Sequence, residues 1–386
     1  MKKITILIAL SCVIPLANAQ KLYKCINMQG DVLFELETHY VWPFSDGLAK
    51  FKTTVVNNGK AEWRIGFVNE KGEVVIEAKY DSKKSSKYNF VDGVSWVKLP
   101  DQDGFFLIDK TGKRISEKTY EKVGKFHEGM CAVYEGLNMG FVNLKGEEII
   151  PLKYTGDPWF YNGLVCLCLA DAEVGKYGFM DKNGEVAIPF QYIQAGYSGF
   201  NNGECRVMIN GKTNLIDTTG KVVFTPTLTS NMEGFSCGLA KAYTTPDRKG
   251  VGFFNRDNTC VIKPIYDRAS SFENGKTIVQ INDKYGVIDT LGNYIIPLKF
   301  DNILGDCGDS GYFLCEKDLV KYYYNCDGQY FTQHTVKRIK GRNNSNYYPF
   351  MDNNDKWGYL NADGSYYIKA QYDDADSFVE GKAWVY

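Results

Sequence analysis

The sequence predicts an all-β protein: a repeat array of about ten three-stranded units of roughly 36 residues each. Three observations predict it. The segments 176–184, 284–292 and 356–364 each place an aromatic residue before Gly and end a polar turn on a second Gly. The first Gly recurs in phase at Gly66, Gly140, Gly178, Gly252, Gly286 and Gly358, with Phe106, Asn214 and Tyr322 in its place in three degenerate copies. Two further signatures keep the same period. One is Phe-x-x-Gly, running from Phe44/Gly47 to Phe378/Gly381. The other is Pro-x-x-aromatic, as in Pro151/Tyr154, Pro189/Tyr192 and Pro297/Phe300. Composition agrees, because 27 Tyr, 23 Phe and 6 Trp suit half-buried pleated surfaces.

In the copy beginning near residue 276, alternation over 276–281 predicts strand A, 285–289 predicts strand B, and strand C begins at 294. The B–C turns at 181–184, 217–220 and 361–364 open on Asp or Asn, which bonds its own backbone, and close on Gly, which accepts positive φ. The A–B connection is tight at Asn210-Gly211, a two-residue hairpin signal. It is long at 52–62, 99–103 and 244–249. Insertions at one fixed place in the unit fall along one edge, which is the expected binding face. No apolar helical periodicity is sustained, and Gly or Pro interrupts most ten-residue stretches.

The expected arrangement is an open β-solenoid or superhelix. A closed propeller-like ring is the alternative, because the chain starts inside a B–C pair at 22–36 and ends on a strand A at 382–386.

Residues 1–19 read as a signal peptide. Lys2 and Lys3 precede an apolar run over 4–16, and Ala17-Asn18-Ala19 supplies the small residues of a cleavage site. Cleavage after Ala19 leaves 20–386 as a single continuous array. Lipidation at Cys12 is the alternative. No later run reaches the length of a membrane span. Charges are mixed, with a net of −1 and no basic cluster, so no nucleic-acid partner is expected.

Lys-Trp-Gly at 356–358, Lys-Tyr-Gly at 176–178 and 284–286, the Asp/Asn-x-x-Gly turn and the Pro-x-x-aromatic ending resemble the bacterial WG repeat family. The resemblance covers roughly residues 22–386. It implies a β-rich repeat protein, often secreted or surface-associated, without an established activity.

Residues that could carry chemistry have structural readings. Of the cysteines after the leader, Cys131 and Cys205 stand where other copies have Ala49, Ala240 and Ala383, so they read as small packing residues. Cys166 and Cys168 share a strand face without further metal ligands in view. His39, His127 and His334 form no zinc or nucleophile–base spacing, and His127 reads as a solvated loop residue. Acidic residues recur as turn formers, and the repeated aromatics as core. The clusters Tyr322-Tyr323-Tyr324 and Tyr347-Tyr348 are the aromatic candidates for a surface. No catalytic, cofactor-binding or metal-binding residue is therefore expected, and no cofactor. The expected function is an exported, non-catalytic scaffold that binds a protein or peptide at the cell envelope. A glycan- or cell-wall-binding module using exposed aromatics is the alternative. A hydrolase ranks below both and would need a pocket that converges two carboxylates from different units.

Overall fold

The computed structural model describes the backbone of 3–4 and residues 20–156, 158–169, 176–196, 199–226, 232–243, 250–308, 310–330, 336–341 and 345–386. Ala19, Cys12, the insertion at 244–249 and His334 lie outside the described residues. Strands dominate. Among the described residues there is no α-helix, and a 3-10 turn spans Ser85–Lys87. Contacts divide the chain into two compact units: residues 1–152 with 335–386, and residues 153–334.

In the first unit, strands Tyr40–Ser45, Leu48–Asn57, Lys60–Asn69 and Val74–Asp81 form one antiparallel sheet in chain order. This sheet has four strands where three were expected. The extra strand comes from Phe-x-x-Gly, which is a hairpin and not a loop. Ser45 pairs with Leu48 across Asp46 and Gly47, whose φ values are 57° and 76°. Two consecutive positive φ angles give the turn whose twist matches that of the flanking strands. Asp92-Gly93, Glu128-Gly129 and Glu380-Gly381 repeat it in this unit. A second sheet of four strands joins Val336–Ile339, Tyr347–Asp352, Trp357–Asn361 and Tyr366–Tyr372.

The chain ends share a third sheet. Strand Lys21–Asn27 pairs with Val32–Thr38 on one side and with Lys382–Val385 on the other, in register from Lys24↔Val385 to Asn27↔Lys382. Trp384, 2% exposed, seals the joint between Phe34 and Phe44, with ring centroids 5.5 and 5.7 Å away. Strands from 21–27 and 382–385 thus belong to one sheet.

In the second unit, Met232–Ser236, Leu239–Tyr243, Val251–Phe254 and Cys260–Tyr266 form one sheet of four, and Arg268–Ala269, Lys276–Ile281, Lys284–Asp289 and Tyr294–Phe300 form another. The sheets built on Glu204–Ile209 and on Tyr312–Lys317 have three strands.

The B–C turns follow the expected chemistry. Asp181 Oδ1 accepts the backbone N–H groups of Asn183 and Glu185, each at 2.9 Å, and Gly184 closes the turn at φ 80°. Asn69, Asp109, Asn143, Asp217, Asn255, Asp289 and Asn325 hold their turns in the same way.

The phased glycine has a different cause. Tyr285 pairs with Phe300 and Val287 with Ile296, so Pro297, Leu298 and Lys299 bulge over the single residue Gly286. A Cβ on Gly286 would stand 2.9 Å from the Ile296 carbonyl oxygen and 3.0 Å from Leu298 backbone atoms. The bulge, the proline and the lysine together blunt an outer strand that could otherwise template another chain.

The repeated aromatics form the core as expected. Phe44, Phe90, Tyr80 and Tyr120 in the first unit are at most 2% exposed, and Phe160, Phe200, Tyr266 and Phe272 in the second at most 3%. Cys131 and Cys205 are buried like Ala49 and Ala240, and burial pushes their thiols up to about 12 and about 11. Cys307 and Cys326 differ, since they form a disulfide with Cα atoms 5.6 Å apart.

Candidate functional site

The insertion at 52–62 is the clearest departure from the repeat. It does not loop. It lengthens the A–B hairpin to ten pairs, from Leu48↔Asn69 to Asn57↔Lys60, and turns at Asn58-Gly59. The third strand stops at Arg64↔Asp81, so the distal ribbon runs on without that neighbour. The base of the ribbon is anchored on both faces, since Thr53 and Thr54 are consecutive strand residues. Gln20 donates to Thr53 Oγ1 at 3.0 Å, and His39 Nε2 lies 2.6 Å from Thr54 Oγ1.

The same stretch presents aromatics to solvent. Trp63 is 42% exposed and Tyr40 43%. Lys52, which pairs with Tyr40 across the strands, places Nζ 4.4 Å from the Trp63 ring centroid. Tyr40 meets Trp42 edge-on at 4.7 Å. Other A–B tips carry leucine where polar turn residues would serve. In the first unit Leu137 is 90% exposed, at the Glu135↔Asn138 tip. In the second unit Leu319 is fully exposed and held at φ 65°. A left-handed leucine costs about 1 kcal/mol over glycine, and no packing in the fold offsets that cost.

A second feature lies wholly within the second unit. A cavity of about 1000 Å³ opens between the segments 196–206, 233–243 and 270–273. Its lining is polar: Asn201, Glu204, Arg206, Glu233, Tyr243, Ser270, Ser271 and Glu273 surround the buried rings of Phe235 and Phe272. Glu233 ties its own strand to strand Leu239–Tyr243 and to the segment at Ser271. Lys241 Nζ lies 3.0 Å from its Oε1, Tyr243 donates to Oε1 at 3.4 Å, and Ser271 donates to Oε2 at 3.2 Å. Glu204 is bound by Arg256 at 2.6 Å.

Carboxylates from successive sheets do converge here, which is the condition set for a hydrolase. Glu204 and Glu233 are each paired with a cation, and Glu273 is the third carboxylate of the lining.

The sequence candidates fall elsewhere. Tyr323 and Tyr348 are buried at 6% and 2%, Tyr322 and Tyr324 pack on Phe300, and Tyr347 stacks on Tyr367 at 3.9 Å. The two tyrosine clusters are therefore mostly packing groups, which corrects the surface expectation. Cys166 and Cys168 share a strand face as expected, and burial pushes the Cys166 thiol up. His127 ends strand Lys122–His127, half-buried, and is not a loop residue. Sequence reasoning missed Tyr40 and Trp63. The signal available for them was that neither stands at a repeated position.

A family model described as WG containing repeat matches residues 65–99, 105–136, 139–164, 177–212, 252–285, 285–306 and 357–386, more than half of the chain. No curated protein matches it. Among solved structures the chain is similar to KlHsv2 with loop 6CD replaced by a Gly-Ser linker, at 14% identity and TM-score 0.36, covering 63% of this chain and 94% of that one. It is also similar to the β-propeller domain of the Trilobed protease from Pyrococcus furiosus, at 10% identity and TM-score 0.27, covering 75% and 96%. A third likeness is to the CRINKLY WD40 ectodomain from the Arabidopsis thaliana receptor kinase ACR4, at 10% identity and TM-score 0.29, covering 67% and 97%. Likenesses at these TM-scores carry no argument about function.

Proposed function

The chain belongs to the WG containing repeat family, and we propose that it is an exported, non-catalytic scaffold that binds a protein or peptide at the cell envelope. The observation that carries this reading is the exposed apolar surface of the A–B hairpins: Leu137 and Leu319 at their tips, and the part-exposed Trp63 along the ribbon with Tyr40 beside it. Aromatic anchors of this kind are enriched at protein interfaces. The leader-like residues 1–19 support export. The Cys307–Cys326 disulfide suits an oxidising compartment.

Cell fractionation with N-terminal sequencing tests the first part, and the expected result is an envelope or secreted chain beginning at Gln20. Affinity capture from envelope extract, with wild type and a Tyr40→Ala/Trp63→Ala variant side by side, tests the second. A partner held by the wild type and lost by the variant is the expected result. Equal capture by both removes the ribbon from the proposal.

A second reading, saccharide binding, is favoured by one observation: the hydroxyl-, amide- and guanidinium-lined cavity of the second unit. Under this reading the chain binds sugar without altering it. Release of reducing ends from a bound oligosaccharide would contradict that.

A further inference from the structure

We propose that the cavity bounded by Arg206, Glu233, Tyr243 and Ser271 is a binding site for a neutral saccharide. The proposal deepens the saccharide reading above and does not depend on the ribbon.

The charges of the lining select the class. Glu204 is matched by Arg256 and Glu233 by Lys241, at 2.6 and 3.0 Å. Glu273 and Arg206 add one charge of each sign to the lining. Among the described residues the charges at the cavity thus balance, and they favour neither an anion nor a cation. What remains is a dense set of fixed polar atoms. Carboxylate oxygens only accept, guanidinium N–H groups only donate, and hydroxyl and amide groups do both. A ligand that uses such a wall fully must itself donate and accept from adjacent atoms, as the neighbouring hydroxyls of a pyranose do.

Arg206 is the group most available to such a ligand. It stands on strand Glu204–Ile209, its side chain is exposed, and among the described residues no carboxylate lies within ion-pair distance. A planar guanidinium can bridge two adjacent oxygens. Glu233 opposes it with a fixed orientation, because Lys241, Tyr243 and Ser271 all hold its carboxylate. A cation recurs at this position, as Lys50, Arg206 and Lys241, but of the three only Arg206 is exposed. The copy containing Leu48–Asn57 has Lys50 in the place of Arg206, and there the ammonium is buried against the carbonyl oxygens of Ser86 and Tyr88. In the next copy the equivalent Lys241 is spent on the Ala269 carbonyl oxygen and on Glu233, so what sets Arg206 apart is its exposure.

The test uses the chain from Gln20 to Tyr386. Cellotetraose, maltotetraose, mannotetraose and chitotetraose are the neutral probes, with tetragalacturonate and a chitosan tetramer as the acidic and cationic arms. Binding is followed by isothermal titration and by saturation-transfer NMR. At least one neutral probe is expected to bind, more tightly than either charged arm. Arg206→Ala is expected to weaken that binding by about tenfold, the loss of one charged hydrogen-bonding group, and Trp63→Ala to leave it unchanged. Arg206 is exposed, so its variant should fold, and an unaltered melting temperature checks this.

If a neutral probe binds equally well to Arg206→Ala, the saccharide reading stands and the assignment to this cavity falls. If no neutral probe binds at about 10 mM, both fall. Tighter binding of a charged arm overturns the neutral class.

Discussion

The Asp46 carboxylate accepts the backbone N–H of Gly93 at 2.6 Å, so the turn of one hairpin caps the equivalent turn of the next. The link recurs. Glu380 accepts the N–H groups of Asp46 and Gly47, and Cys237 Sγ accepts the N–H of Gly275 at 3.2 Å. Beside it runs a second contact, in which Ser45 donates to the Phe90 carbonyl at 2.7 Å and Ser236 to that of Phe272 at 2.5 Å. Phe-x-x-Gly therefore does three jobs: the Phe fills the core, the last two residues reverse the chain, and the side chains of the two central residues join consecutive sheets.

Asp46→Ala should lower stability by about 2 kcal/mol. It removes a hydrogen bond and places alanine at φ 57°. Asp46→Asn keeps both the acceptor and the left-handed preference, and should stay within about 0.5 kcal/mol of wild type. Urea denaturation of the two variants separates these outcomes.

Gly286→Ala should destabilise by about 1–3 kcal/mol, because the new methyl meets backbone that cannot move aside as a side chain would. Gly234→Ala, where an added Cβ meets nothing within 4 Å, should be close to neutral. Thermal melts of both variants check the bulge explanation of the phased glycine.

The turn aspartates give an acid limb with a defined sign. The Thr219 hydroxyl and backbone N–H groups hold Asp217 below the usual carboxylate range, and the Glu185 N–H leads the same effect at Asp181. A carboxyl with a depressed folded value contributes stability above its unfolded value of about 3.9, and loses it as pH falls through the lower folded one. Asn already fills this turn position at Asn69, Asn143 and Asn255. Asp181→Asn and Asp217→Asn should therefore fold normally and flatten the melting temperature between about pH 4 and 2.

Lys50 has the opposite dependence. It is 2% exposed, and burial lowers its ammonium to about 7. Between that value and the ordinary lysine range near 10.4 the unfolded chain binds the extra proton, so stability should rise with pH across this window. Lys50→Met should remove the rise, as read from melting temperatures at pH 7 and 10.

Much of this was legible in the sequence. The period, the Asx turns and the aromatic core all follow from residues that every unit must share. The fourth strand was legible too, because Asp46-Gly47, Asp92-Gly93 and Asn274-Gly275 are hairpin pairs of the same kind as Asn210-Gly211. It escaped notice because Glu128, Cys237 and Glu380 break the Asp/Asn pattern. The ribbon was disguised by the polar composition of 52–62, although Asn58-Gly59 marks its turn. The disulfide had no signal in the sequence. Cys307 and Cys326 are 19 residues apart, and their meeting depends on two turns lying side by side. Exposure was the least legible property: Tyr323 and Trp63 look alike in composition, and only packing tells them apart.

The pairing of Lys21–Asn27 with Lys382–Val385 ties residues more than 350 positions apart into one sheet, and hydrogen exchange tests it most directly. In the intact chain, the amides of Lys21–Asn27 that face Lys382–Val385 should be strongly protected. Deleting residues 382–386 should abolish that protection and expose the core around Phe34 and Phe44, lowering the melting temperature. Unchanged protection of 21–27 in the deleted chain would contradict the shared sheet.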